Sequence, residues 1–266
     1  MIIRSFFFAL LGSLVLASCN EGDSDSDFPS STGIQGRVVT QNEFQQPLYE
    51  ERAGVEMLLE VGFREFPVDA DIVGQWQLGG APVGTYTFTI EKDGFGTIKE
   101  RGIRISTVNP EYPVEEGFQR IPTFFLTKLP TTQFEDVMLD LSFETVEVGM
   151  TTDTIWNLDL TAMMNPAPPP TGQPKGYRVF LGTDNLLSKE NYLFQQHYTS
   201  TSAEIALNYN DAFFDSLNIR SGDVIYALLY GDANFNLEQA EPAEEMILTF
   251  PNLTLESSEI TSIALP

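Results

Sequence analysis

The sequence predicts an all-β protein of two tandem antiparallel β-sandwich domains that follow an N-terminal signal and a flexible linker. Two patterns predict this: apolar and polar residues alternate along many short segments, and no segment has a long helical period. The chain has 266 residues and a hydrophobic fraction of 42%. That length suits roughly two domains of about 150 residues, and the composition allows a buried core in each.

Residues 1–18 are typical of a secretory signal peptide. Arg4 supplies the positive charge, and an apolar stretch runs from Phe6 to Leu16 before small residues. This stretch is shorter than the roughly 20 apolar residues that span a bilayer. We therefore expect export and removal of the segment rather than a transmembrane helix.

The run Leu16-Ala17-Ser18-Cys19 resembles the lipobox of bacterial lipoproteins. The resemblance implies a lipoprotein signal peptide, cleavage before Cys19, a diacylglyceryl group on its thiol and usually an acylated new amine. Two or more acyl chains anchor a protein stably to a membrane. Cys19 is also the only cysteine of the chain. The alternative is a secreted protein that is cut near Cys19 and keeps a free thiol.

Residues 19–33 form an acidic, polar tether that we expect to be disordered, because it has little apolar surface to bury. Acidic residues directly after the lipidated cysteine resemble the export signals of Bacteroidetes surface lipoproteins. Asn20 resembles outer-membrane rather than inner-membrane sorting. The predicted location is therefore the outer membrane, lipid-anchored and exposed at the cell surface.

Charge excludes one class of partner and indicates a domain boundary. The net charge of -24 repels phosphate backbones, so no nucleic-acid partner is expected. Acidic residues outnumber basic ones more strongly after residue 129 than between residues 34 and 128. The run Pro130-Thr131-Thr132 suits a connector between domains at 34–128 and 129–266.

Alternation in the first domain predicts strands at Ile34–Thr40, Val55–Val61, Gln75–Leu78, Tyr86–Ile90, Ile103–Thr107 and Pro122–Leu126. Turns are predicted at Gly79-Gly80, Pro82-Val83-Gly84 and Asp93-Gly94. The order of Ile34–Val39, Gly54–Met57, Asp71–Leu78, Pro82–Phe88 and Asp93-Gly94-Phe95 resembles the carboxypeptidase regulatory-like domain. That resemblance implies a prealbumin-like sandwich without catalytic residues.

Two aromatic residues of this domain allow two interpretations. Trp76 and Tyr86 stand on alternating strand positions, where aromatic side chains usually belong to the core. The alternative is a platform on which a sugar ring stacks. We predict the core position for both.

The second domain shows further strand patterns around Leu139–Phe143, Trp156–Ala162, Tyr177–Leu181, Ala203–Leu207, Val224–Tyr230 and Met246–Phe250. A shift of register between Phe143 and Val146 predicts a bulge. The prolines of residues 165–172 predict a stiff loop. The order of Trp156, Tyr177–Gly182 and Val224–Asp232 resembles a fibronectin type III-like sandwich.

The residues favour no catalytic, metal or cofactor site. His197 is the only imidazole and is expected at the surface or at a strand end, and Cys19 is assigned to lipid. A hydrolase that uses two carboxylates positioned in a cleft stays open as an alternative. With 38 acidic residues in the chain, the number of carboxylates does not show whether such a pair exists.

One loop is a candidate ligand site. Asp232, Asn234, Phe235 and Asn236 follow the strand at Val224–Tyr230. Their oxygen atoms would suit Ca²⁺ or sugar hydroxyls, with Phe235 stacking on the sugar. The same residue types are also ordinary turn formers.

These features together predict a lipid-anchored, non-enzymatic cell-envelope protein that acts as a binding or scaffolding module, beside a nutrient-uptake system. The expected partners are the membrane, through the anchor, and an envelope protein or a glycan. Two alternatives stay open: a carbohydrate-binding surface lipoprotein, and a structural or assembly subunit of a surface complex.

Overall fold

The computed structural model describes residues 32–148, 151–233, 239–240 and 248–266. The described strands of the first sandwich are β1 (Thr32–Gln41), β2 (Glu56–Val61), β3 (Arg64–Asp69), β4 (Gln75–Ala81), β5 (Gly84–Glu91), β6 (Ile98–Ile105), β7 (Val114–Glu115), β8 (Phe118–Arg120) and β9 (Phe124–Thr127). A 3-10 helix spans Tyr49–Glu51. Among the described helices, none has the length and apolar character required to cross a membrane.

Two sheets enclose the first core. One has the order β4-β1-β8-β7, with β9 also on β1, and the other has the order β3-β2-β5-β6. The pairings are antiparallel except that β1 runs parallel to β8 and to β9. Trp76 of the first sheet packs edge-on against Phe88 of the second, with ring centroids 5.7 Å apart. Trp76 and Tyr86 are 3% and 0% exposed, so their predicted core position is confirmed.

One local prediction for this sandwich is wrong, and the strand β3 was missed. Gly79-Gly80 lies inside β4 rather than in a turn, because the β1–β4 register shifts between Thr32 and Ile34 and the additional residues form a bulge there. Gly80 has a φ of +68°, which glycine adopts without strain. The strand β3 was not predicted, because its charged residues and Pro67 hide the alternation, as is common at sheet edges.

The second sandwich has the strands β10 (Gln133–Val148), β11 (Thr151–Asn165), β12 (Lys175–Gly182), β13 (Phe194–Ser200), β14 (Glu204–Asn210), β15 (Val224–Asp232), β16 (Gln239–Ala240), β17 (Leu248–Thr249) and β18 (Thr261–Ala264). The helix α1 spans Asp211–Ser216. The sheet β10-β11-β14 packs against the sheet β13-β12-β15-β18. The all-β sandwich architecture that the sequence predicts is therefore the observed one.

The structure also corrects predictions for this sandwich. The register of β10 against β11 is continuous from Met138 to Val148, and the irregularity lies between Glu135 and Met138. Asp136 in that interval has a φ of +50°. The final strand is β18 rather than the predicted segment ending at Phe250, because β18 is short and only half-buried on alternate residues.

The sheet β13-β12-β15-β18 is covered on both faces. Alternate residues of β12 and β15 face the main core, and the others face a second apolar cluster. That outer cluster contains Phe180 and Leu228 from the strands and Phe250 and Leu253 from the segment after β17. Burial on both faces explains why every residue of β12 is buried.

The connector between the sandwiches is held by its backbone. The Lys128 N–H donates to the Gln41 carbonyl at 2.8 Å, and the Leu129 N–H donates to the Gly94 carbonyl at 2.9 Å. Thr132 at the other end of the connector is fully buried. The backbone of the connector is therefore bonded to the first sandwich, and its Thr132 is packed inside the protein.

Side chains add a second tie across the junction. Lys175 of β12 is 4% exposed, and its Nζ donates to the Thr132 hydroxyl at 3.2 Å and lies 3.8 Å from Oε1 of Glu43 in the first sandwich. Burial raises the pKa of the Glu43 carboxyl, and the Lys175 ammonium lowers it again. Gly96 of the first sandwich packs against Asn252 of the second, without space for a side chain.

Candidate functional site

A groove of about 900 Å³ crosses the outer face of the β4-β1-β8 strands. Its floor follows directly from the strand pairing: Gln77 is opposite Gln35, Gln75 is opposite Arg37, and Arg120 is opposite Gln35 on the other side. Paired residues share a face of a sheet, so these five polar side chains form one continuous band across three strands.

Alternation orients this band away from the core. Ile34 and Val38 of β1 are 0% and 1% exposed and face the core. Gln35 and Arg37 occupy the alternate positions between them, so their side chains point to the opposite face. On β4 the buried residue is Trp76, and its neighbours Gln75 and Gln77 are exposed. The same pattern that builds the core therefore builds the groove.

The rims of the groove come from a strand end and from loops. Asp69 is the last residue of β3 and Asp71 follows it at one rim, and Tyr112 and Pro113 border the groove before β7. Oδ1 of Asp71 accepts hydrogen bonds from the N–H groups of Val73 at 2.9 Å and of Gln75 at 2.8 Å. These bonds fix the loop that carries one rim.

Most of the floor side chains have no internal partner. Among the described residues, no hydrogen bond or ion pair engages the side chains of Gln35, Arg37, Gln75 or Gln77. Arg120 differs, because its Nη1 lies 3.1 Å from Oε2 of Glu115. Four adjacent amide and guanidinium groups are therefore available to a ligand.

The floor is supported from below by Trp76. A Cβ placed on Gly36 would lie 2.6 Å from Cζ2 of the indole, so the ring lies directly against the backbone of β1. The indole Nε1 is buried without a hydrogen-bond partner in the described structure. Close packing of this kind gives the groove a rigid floor.

The charges that line the groove balance each other. Arg37 and Arg120 face Asp69 and Asp71, in a chain whose net charge is -24. Partial burial raises the pKa of the Tyr112 phenol, and the nearby Glu111 carboxylate adds to that shift. The rim phenol is therefore a neutral hydrogen-bonding group.

A second polar cluster lies on the outer face of the β12 sheet and is buried. Nε of Arg178 lies 2.9 Å from Oδ2 of Asp232, and both residues are almost fully buried. The guanidinium also bonds the Gln195 side chain, and its carbon lies 4.5 Å from the centre of the Phe250 ring. Burial raises the pKa of the Asp232 carboxyl, and Arg178 and His197 oppose that shift.

Only one residue of the predicted ligand loop is described. Asp232 is 2% exposed, and its carboxylate is already bound by Arg178 and by the Ala233 N–H at 2.8 Å. Asn234, Phe235 and Asn236 lie outside the described residues, as does Cys19 with its lipobox. The loop site and the lipidation site stay predictions.

His197 lies within β13 rather than at its end. It is half-buried, and its Nε2 is 2.9 Å from the Ala233 carbonyl oxygen. No group of three or more His, Cys, Asp or Glu side chains within the described ranges is arranged to hold a metal ion.

The groove was not predicted from the sequence, although a signal for it exists. On β1 and β4 the positions between core residues carry Gln35, Arg37, Gln75 and Gln77, with no Lys or Glu among them. This composition differs from β2 and β3, whose charged positions are Glu56, Glu60, Arg64, Glu65 and Asp69. What alternation could not reveal is that β1 and β4 are neighbours.

No protein-family model matches the chain, and no curated protein matches it in sequence. Among solved structures, it is similar to a DUF3823 family protein from Parabacteroides merdae ATCC 43184, with 14% identity over 77% of this chain and 92% of that one and a TM-score of 0.27.

Two further similar structures differ in kind. One, from Bacteroides uniformis ATCC 8492, is provisionally named as carbohydrate binding; it has 10% identity over 89% of this chain and 100% of that one, with a TM-score of 0.27. The other is the major pilin SpaD of Corynebacterium diphtheriae, with 9% identity over 90% of this chain and 68% of that one and a TM-score of 0.31. Membership of the carboxypeptidase regulatory-like and fibronectin type III-like families stays a prediction.

Proposed function

We propose that this chain is a lipid-anchored, non-enzymatic protein of the cell envelope whose tandem sandwiches act as a binding module. The observation that carries the binding role is the band of four uncommitted polar side chains in the groove of the first sandwich. A sheet with a rigid floor and free hydrogen-bonding groups on its outer face is a surface suited to ligand binding.

The junction between the sandwiches supports this role. The connector and the buried Lys175–Glu43 contact hold the second sandwich against the first. A module presented in this way on an acidic tether suits capture at a membrane surface.

The anchor is tested by metabolic labelling. Cells of a Bacteroides host that express the chain are fed a clickable palmitate analogue, and the wild type is compared with Cys19→Ala. We expect label only on the wild type, because thioether lipidation requires the cysteine thiol. Ser18→Ala, which keeps a small residue before the cysteine, is the matched control and should label fully. Equal labelling of wild type and Cys19→Ala would overturn the anchor.

Surface exposure is tested separately, by treating intact cells with proteinase K. The wild type should be digested without cell lysis. A variant with Glu21, Asp23, Asp25 and Asp27 replaced by Ala removes all four acidic residues of the tether and should be protected, while its palmitate label persists. Digestion of the wild type only after the cells are lysed would contradict surface exposure.

The β10–β11 hairpin favours a second candidate function, that of an assembly subunit. Its strands pair from Phe143–Trp156 to Val148–Thr151, beyond the last β11–β14 pair at Asn157–Asn210. A two-stranded ribbon alone is marginally stable in water, so such an arm gains from a partner. Sedimentation at rising concentration tests it: oligomers that vanish when residues 145–154 are replaced by Asn-Gly, which leaves the Glu144–Ile155 pair to close the shortened hairpin, would favour assembly, and a monomer throughout favours the binding module.

A further inference from the structure

We propose that the groove on the β4-β1-β8 face binds a neutral oligosaccharide, at a site separate from the loop after β15. The inference deepens the proposed binding function and shares its premise that the groove is the binding surface. It rests on the chemistry of the floor, the rims and the local charge.

The floor matches the hydrogen-bonding character of a sugar. A hydroxyl group is both a donor and an acceptor, and the side-chain amides of Gln35, Gln75 and Gln77 offer both functions. Arg37 adds a fork of donors, and Asp69 at the rim adds acceptors. Adjacent strands lie about 4.8 Å apart, so the band from β4 to β8 measures roughly 10 Å. A ligand with many regularly spaced hydroxyls can satisfy groups spread over that width.

The rim supplies an apolar surface beside the polar floor. The half-buried ring of Tyr112 borders the groove beside Pro113, its neighbour in the chain, and Pro122 also lines the groove. The face of an aromatic ring is electron-rich, so it attracts the C–H groups on the flat side of a pyranose. Polar floor and aromatic rim together fit the two kinds of surface that one sugar ring presents.

The charges select a neutral ligand. The two guanidinium groups and two carboxylates of the lining cancel formally, and Arg120 is partly neutralised by Glu115 at 3.1 Å. The net charge of -24 on the chain repels polyanions at a distance. A polymer that carries a carboxylate on every sugar is therefore disfavoured, while a neutral one meets no electrostatic penalty.

The second polar cluster does not offer an equivalent site. Arg178 and Asp232 face each other at 2.9 Å under Phe250, and both are withdrawn from solvent. A sugar would have to displace an ion pair that is already satisfied there. The groove presents the same residue types without that competition.

Affinity electrophoresis tests the inference. The full chain carrying Cys19→Ala, which needs no anchor, is run in native gels that contain xyloglucan, galactomannan, laminarin or starch, with polygalacturonate as the anionic comparison. We expect at least one neutral polysaccharide, and not polygalacturonate, to retard migration.

Variants then place the site. The double variant Gln75→Ala/Gln77→Ala should weaken the affinity for the retarding polysaccharide at least tenfold, which corresponds to about 1.4 kcal/mol. Gln133→Ala, on the exposed edge of β10, is the matched control and should bind as the wild type does. Phe235→Ala, in the loop after β15, should also bind normally.

Three outcomes would overturn the proposal. Unchanged migration in all four neutral gels would contradict a neutral-glycan site. Retardation by polygalacturonate alone would show that the ligand is anionic, and binding that is lost in Phe235→Ala but kept in the glutamine variant would show that residues after β15, and not the groove, bind the ligand. Because the protein tested is not lipidated, none of these results bears on the palmitate experiment, so the anchor and the glycan site fail independently.

Discussion

The outer faces of two sheets, one in each sandwich, carry the same residue types, but these residues are open to solvent on one sheet and buried on the other. In the first sandwich Arg37 and Gln35 lie in an open groove without internal partners. In the second, Arg178 donates to both Gln195 and Asp232 beneath an apolar layer. Polar residues on a sheet face therefore indicate a binding surface only where nothing covers the sheet.

The apolar segment that covers the outer face of the β12 sheet lies there for a physical reason. The outer face of the β12 sheet also carries Phe180 and Leu228, which attract Phe250 and Leu253 onto it. The outward positions of β1 and β4 that line the groove, Gln35, Arg37, Gln75 and Gln77, are all polar, so this face offers no apolar side chain for a covering segment to bury. A few apolar residues on a face thus decide whether its arginine becomes structural or stays free.

The largest expected effect is on the buried arginine. Arg178→Ala leaves the Asp232 carboxylate without its partner in the interior, and we expect the free energy of unfolding to fall by about 3–5 kcal/mol. Urea denaturation measures this loss. The exposed Arg104→Ala should change stability by less than about 0.5 kcal/mol.

A paired replacement sharpens this prediction. Arg178→Met combined with Asp232→Asn removes both charges and nearly keeps the volume, and it should be less destabilising than Arg178→Ala alone. A loss below about 1 kcal/mol in Arg178→Ala would contradict the buried, paired assignment. The contrast between the two sheet faces would then disappear.

The next effect tests the floor of the groove. Gly36→Ala places a methyl group 2.6 Å from the Trp76 indole, which is backed by Phe88 and cannot move away freely. Overpacking of this kind costs about 1–3 kcal/mol. Gly79→Ala on β4, where a Cβ meets no atom within 4 Å, is the matched control for urea denaturation. Equal stability of the two variants would show that the floor is not rigid.

The sequence predicts the cores better than the faces. Alternation identifies most central strands and places Trp76 and Tyr86 inside, because burial on one face leaves a period of two in the local sequence. It does not reveal β3, with Pro67, or the parallel pairing of β1 with β8, since these depend on contacts between distant segments. The groove depends on the same pairing, and so it emerges only in three dimensions.

The dependence of stability on alkaline pH allows the two cores to be compared. Burial raises the pKa of Tyr86 in the first sandwich and of Tyr177 in the second to about 12 each, from an ordinary value of about 10. Between these values the unfolded chain has released the phenol proton while the folded chain keeps it, so stability falls as the pH rises from about 10 to about 12.

Tyrosine variants separate the two contributions. Tyr86→Phe and Tyr177→Phe should each reduce the slope of unfolding free energy against pH in that range. Tyr86→Phe also loses a hydrogen bond of 2.7 Å to the Pro82 carbonyl, which costs about 1 kcal/mol at neutral pH. Tyr49→Phe, at 67% exposure, is the control and should leave that slope unchanged. If none of the variants changed the slope of unfolding free energy against pH, the buried tyrosines would not be the cause of the loss of stability at alkaline pH.

The smallest expected effect concerns the groove glutamines. Gln75→Ala/Gln77→Ala removes two exposed side chains without internal partners, and urea denaturation should show a change within about 0.5 kcal/mol. Gln195→Ala, which removes a partner of the buried Arg178, should cost about 1–3 kcal/mol in the same assay. Glutamines on the two faces would then differ in their effect on stability. Gln195 stabilises the fold because it lies beside a buried guanidinium, and the glutamines that face the open groove contribute nothing to the stability of the fold. Similar losses in both variants would mean that the groove side chains are committed to the structure, and the surface available to a ligand would shrink accordingly.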